Sequence, residues 1–138
     1  MRNSKAAAWS QKAFDAFKKG DYTSARKWSR KAVRLAAENA SVWALDGHIN
    51  AQLGQLDDAI ASFRKATGLA PSNADNFNNL SLASFNSARY AEAIEAAEAA
   101  LKIDPNHVKA LVNAGNAYIA IEQYTQAVPL FERALALQ

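Results

Sequence analysis

Residues 73–106 read NADNFNNLSLASFNSARYAEAIEAAEAALKIDPN, and they hold one complete structural unit. Asn73 is suited to cap a helix, and the stretch after it predicts a helix over 74–86. Ala88-Arg89 makes a turn, and a second helix is expected from Tyr90 to about Lys102. Asp104-Pro105-Asn106 then breaks the chain, because proline lacks a donor and pushes the preceding residue away from helix. In the second helix Ala93, Ile94, Ala97, Ala100 and Leu101 recur on one face, while Glu92, Glu95, Glu98 and Lys102 lie off it. Two short amphipathic helices joined by a tight turn form a hairpin, and no single hairpin can bury its apolar face alone.

Moving outward, the unit recurs every 34 residues in both directions. Trp9, Trp43, Phe77 and Leu111 form one column, and Tyr22, Leu56, Tyr90 and Tyr124 another. Ala13, Gly47, Ser81 and Gly115 are all small. Ala25, Ala59, Ala93 and Ala127 are identical, as are Ala32, Ala66, Ala100 and Ala134. Leu35, Leu69, Ile103 and Leu137 complete the set. A period of this length marks a repeat array in which neighbours bury each other. The expected fold class is all-α: four helix-turn-helix repeats, about 6–39, 40–73, 74–107 and 108–138, stacked into one right-handed superhelical solenoid domain over 1–138.

These residues resemble the tetratricopeptide repeat (TPR) family, whose pattern carries an aromatic residue, Leu-Gly and Tyr in helix A, then Ala, Phe, Ala and a closing Pro around helix B. The fourth repeat matches through Leu111, Gly115, Tyr118, Tyr124, Ala127, Phe131 and Ala134. The second matches through Trp43, Gly47, Gly54, Ala59, Phe63, Ala66 and Pro71. The resemblance implies a non-catalytic protein-interaction scaffold with a peptide or protein partner.

In that family ligands lie along the inner face of the A helices. Carried over residue by residue, the resemblance implies a groove lined by Gln11, Phe14, Phe17, Leu45, His48, Asn79, Leu82, Phe85, Lys109, Asn113 and Asn116. The family's clamp for a terminal carboxylate is matched at only two of its five positions. Its asparagine ladder reads Gln11, Leu45, Asn79, Asn113, with one rung missing. A side-chain amide both donates and accepts, so it can pair with any peptide group. Such asparagines also occur as solvated consensus residues.

Several positions depart from the pattern. One helix A position, normally apolar, reads Lys12, Asp46, Leu80, Ala114, and Lys12 and Asp46 are expected to pair across the first two repeats. The alternative is that Lys12 extends to solvent at the end of the array. Phe17 and Phe85 stand one residue after the usual tyrosine position, a rotation of about 100°. That would turn them toward the groove, unless they repack locally. Pro129 is expected near the first turn of the last helix, where its missing donor costs little. Val128, Phe131, Leu135 and Leu137 would leave apolar surface at the end of the array. Either the chain is a fragment of a longer protein, or another molecule covers this end.

Composition bounds the rest. There is no cysteine, so disulfides and thiolate metal sites are excluded. Neither a signal-peptide core nor an apolar run long enough to span a bilayer is present, which favours a cytoplasmic address. His48 and His107 fall in different repeats, and no phosphate-binding glycine loop or metal-spaced cluster appears, so neither enzymatic activity nor a cofactor or metal is expected. His107, in the linker before the fourth repeat, is expected to be solvated.

Residues 1–38 carry ten Lys and Arg against three acidic residues, a net +7, and the remainder carries six against ten, a net −4. The basic strip Arg26, Lys27, Arg30, Lys31, Arg34 lacks regular aromatic interleaving, which argues for a solvated surface over nucleic acid or membrane. The charge asymmetry leaves head-to-tail self-assembly through the terminal repeats as the alternative to peptide binding. A third reading makes the segment the targeting arm of a larger enzyme.

Overall fold

A computed structural model describes residues 2–138. They form eight helices, and no strand occurs among the described residues: α1 (Arg2–Lys18), α2 (Tyr22–Leu35), α3 (Ala40–Gln52), α4 (Leu56–Leu69), α5 (Ala74–Asn86), α6 (Tyr90–Ile103), α7 (Val108–Ala120) and α8 (Tyr124–Ala136). The helices of residues 73–106 fall where the sequence places them. Odd-numbered helices are helix A of each hairpin, even-numbered ones helix B. The chain groups into two compact units, Met1–Ala70 and Pro71–Gln138, each with two hairpins.

Hairpins close by steric matching. The alanine columns at 25/59/93/127 and 32/66/100/134 are buried throughout, because only a methyl group fits where the two helices of a hairpin approach. The small column on helix A has a counterpart on helix B at Ser29, Phe63, Ala97 and Phe131. A Cβ on Gly47 would lie 2.7 Å from the Phe63 ring, and one on Gly115 would lie 2.6 Å from Phe131. Glycine therefore faces phenylalanine in repeats two and four. In repeats one and three Ala13 and Ser81 stand with Ser29 and Ala97, and Ser81 uses the room to donate to the Ala93 carbonyl at 2.7 Å.

Turns and caps repeat as well. The second residue after each helix A takes a left-handed backbone: Gly20 (φ 80°), Gly54 (φ 75°), Ala88 (φ 60°) and Glu122 (φ 62°). Asn39 caps α3, accepting from the Ser41 and Val42 amides, and Asn73 caps α5 through the Asn76 amide. His107 stands 34 residues later and caps α7, its Nδ1 accepting from the Ala110 amide at 3.1 Å. It is thus a structural residue, not the solvated linker residue that the sequence predicts.

Pro129 lies deeper in α8 than expected, in the second turn rather than the first. It removes a backbone donor there. The opening bond of α8, Ala127 amide to Gln123 carbonyl, is 3.3 Å, against 2.9 Å for its equivalents in α4 and α6.

Candidate functional site

In unit 1, α1 and α3 supply the face on which groove residues are expected. Phe14 is exposed, with the Lys18 ammonium 5.3 Å from its ring centroid, and Gln11 donates to Asp15 on its own helix at 2.9 Å. Phe17 and Leu45 come together, both half-buried against Ala13, Ala25 and Ile49. His48 is exposed at its rim, and its ring meets Phe63 edge-on at 5.2 Å. Burial of the inner part of the ring holds its pKa below the ordinary 6.5.

Unit 2 presents the corresponding face on α5 and α7. Asn113 donates to Asn78 at 2.6 Å, joining the two helices at their middle. Near the start of α7 the His107 Nε2 meets Asp75 at 2.7 Å, and since Nδ1 accepts an amide proton, Nε2 is the nitrogen that donates. At the other end, the Tyr118 hydroxyl donates to Glu98 of α6 at 2.5 Å. That bond, with some burial and the Glu98 charge, pushes the phenol up to about 12. Asn79 is half-buried, while Leu82, Lys109, Asn116 and Ile119 are exposed. Along α5 and α7 these side chains recur at helical spacing, so one strip carries apolar surface beside amides and an ammonium.

Phe17 and Phe85 are not free groove residues. Each packs on the tyrosine that opens its helix B, Phe17 on Tyr22 and Phe85 on Tyr90, both at 5.5 Å between centroids. The one-residue shift is local repacking, because the tyrosine ring occupies the space beside helix A.

The expected Lys12–Asp46 pair is corrected by the structure. Asp46 is fully buried and accepts from Ser29 Oγ at 2.6 Å, Ser62 Oγ at 2.6 Å and Asn50 Nδ2 at 3.0 Å. Its positive partner is Arg30, 3.5 Å away on α2. Lys12 instead lies over the Trp28 ring at 4.4 Å. A carboxylate taken wholly out of water needs several short donors, and the serines of α2 and α4 supply them better than a lysine at the rim. One sign of this buried hub is present in the sequence: Ser29 and Ser62 stand at helix B positions facing the next or preceding helix A.

This arrangement of helical hairpins, with alanine seams and polar strips along the A helices, defines a repeat scaffold. Two family models, both described as tetratricopeptide repeat, match residues 10–74 and 85–138. The chain belongs to the tetratricopeptide repeat family, and its fold class is the all-α solenoid. It is 26% identical over 121 residues to the Protein CTR9 homolog of Arabidopsis thaliana, covering 87% of this chain and 11% of that protein. It is 30% identical over 84 residues to the Hsp70-Hsp90 organizing protein of Triticum aestivum, covering 61% and 14%. The chain thus spans only a small part of these relatives.

Among solved structures, MamA superposes with a TM-score of 0.91 at 24% identity, over 96% of this chain and 77% of that one. MamA from Desulfovibrio magneticus RS-1 gives 0.89 at 20%, over 96% and 75%. YrrB, described as a TPR protein with an unusual peptide-binding site, gives 0.88 at 24%, over 96% and 69%. These likenesses establish the fold. No helix among the described residues is long and apolar enough to cross a membrane.

Proposed function

We propose that this chain is a non-catalytic interaction module that holds a peptide segment along the A-helix face of unit 2. The observation that carries the reading is the strip on α5 and α7, where exposed Leu82 and Ile119 lie with Asn79, Asn113, Asn116 and Lys109. Amides at helical spacing suit the backbone of an extended segment, and the two apolar side chains suit alternate side chains of that segment. Phe14 and His48 offer the same kind of surface on unit 1. The relation to YrrB, a peptide-binding protein by its description, agrees with this reading.

Selection of displayed random peptides on the whole chain, followed by fluorescence titration of the winners, tests it. Leu82→Asp and Asn113→Ala should each weaken the selected peptides about tenfold, a loss of about 1.4 kcal/mol. Winners that bind these two variants as tightly as the parent chain would refute the site.

A further inference from the structure

We infer that copies of this chain stack head to tail, with α8 of one copy against α1 and α2 of the next, in the register that joins repeats within each unit. Residues 34 positions apart occupy equivalent places in successive repeats. On helix B one such column reads Arg30, Arg64, Glu98, Glu132. Where the units show this position facing a following helix A, it is engaged: Arg30 of α2 reaches Asp46 of α3 at 3.5 Å, and Glu98 of α6 accepts from Tyr118 of α7. Glu132 is the same position on α8, and it is exposed.

The receiving column on helix A reads Lys12, Asp46, Leu80, Ala114. Asp46 is sealed by α2, whereas its equivalent Lys12 is exposed on α1. Docking α8 of one copy onto α1 of the next therefore sets Glu132 against Lys12, the Arg30–Asp46 pair with its charges exchanged. The receiving face is also strongly basic, with Asp15, one turn from Lys12, as its carboxylate. Lys12, Lys31 and Lys27 bring three ammonium groups to 4.4, 5.0 and 5.6 Å from the Trp28 ring centroid. Among the described residues none of the three has a carboxylate within ion-pair distance. Gathered like charges repel, and an incoming carboxylate relieves that repulsion.

The apolar surfaces match in the same register. Val33 of α2 is 5% exposed, packed with Val42 of α3 and flanked by Trp9 and Trp43. Its equivalent on α8, Leu135, is 70% exposed. The equivalent of Val42 on α1, Ala8, is exposed too. Leu135 on one copy and Ala8 with Trp9 on the next thus stand where Val33 meets Val42 and Trp43. Two features oppose the docking: Asp15 of α1 stands where buried Ile49 stands on α3 and would lose water beside Lys12, and exposed Lys5 comes to face Lys109, a repulsion that water and salt largely screen. The contact is heterologous, so each docked pair still carries one free face of each kind and can add further copies.

Sedimentation of the whole chain from about 10 µM to 1 mM tests the inference. The average mass should climb with concentration past that of a dimer. Lys12→Glu and Glu132→Lys should each weaken association about tenfold, and the double exchange should restore it. Circular dichroism on each variant checks that the helices persist, which the exposure of both residues favours. A chain that stays monomeric throughout overturns the inference. So does association that ignores both single exchanges, or that the double exchange fails to rescue.

Discussion

Unit 1 and unit 2 have the same helical plan yet join their two hairpins differently. Between α2 and α3, unit 1 buries a carboxylate, Asp46, and satisfies it with two serines, an asparagine and the edge of Arg30. Unit 2 places Ala114 at the equivalent site on α7 and moves its polar pairing outward, to His107–Asp75, Asn113–Asn78 and Tyr118–Glu98. A buried charge ties register to its surrounding donors, so losing one member alone is costly. Pairs with solvent access hold the same stack with weaker, replaceable contacts. Two hairpins can therefore be locked from the inside or laced along the edge without changing the fold.

Removing the buried carboxylate gives the largest difference between the units. Asp46→Ala should destabilise the chain by about 3 kcal/mol, since it strands buried Ser29, Ser62 and Asn50 without their acceptor. Asn113→Ala, which removes a lace of unit 2, should cost no more than about 1 kcal/mol. Urea unfolding midpoints read both, and equal losses would erase the distinction.

A second test uses the glycines that face phenylalanine. Alanine in a helix gains about 1 kcal/mol over glycine in propensity, while overpacking costs about 1–3 kcal/mol. Phe63 is 2% exposed and has nowhere to go, whereas Phe131 is only half-buried. Gly47→Ala should lose about 1–2 kcal/mol and Gly115→Ala should be close to neutral. Thermal or urea unfolding of the pair decides, and the reverse order would show that ring mobility is not what matters.

The smallest effect concerns the turns. Unit 1 gives its left-handed turn positions to Gly20 and Gly54, while unit 2 holds Ala88 and Glu122 there. Relief of about 1–2 kcal/mol of left-handed strain exceeds the extra chain entropy of glycine, so Ala88→Gly should stabilise by about 0.5 kcal/mol. Gly54→Ala should do the opposite. The difference is readable as a shift in the unfolding midpoint, and a loss of stability in Ala88→Gly would sink the argument.

Much of this was legible from the chain itself, for a stated reason. Helix ends follow from local chemistry, so Asn73, the Ala88 turn and Pro105 placed α5 and α6 without help from the rest of the molecule. The same locality failed for Phe17 and Phe85, whose partners Tyr22 and Tyr90 sit on the other helix of the hairpin. His107 could have been found, because it continues the capping column of Asn39 and Asn73. The complement of glycine with phenylalanine could also have been found, by reading the two columns side by side. Of the candidate groove residues, the sequence supplied the helix face, and the structure sorted exposed Leu82, Lys109 and Asn116 from Phe17, Leu45 and Phe85, which are half-buried.

By itself the sequence determined the hairpin, its 34-residue period, the alanine seams and the charge difference between the two ends. Each of these depends on the conformational preference of a residue or on its spacing along one helix. Only tertiary structure decided which groups meet across helices: that Asp46 takes serines and Arg30 as partners, that Lys12 turns to Trp28, and that His107 binds Asp75. The physical reason is that a polar side chain's partner is set by distance and by what water it loses, and neither is written in the order of residues along one chain segment.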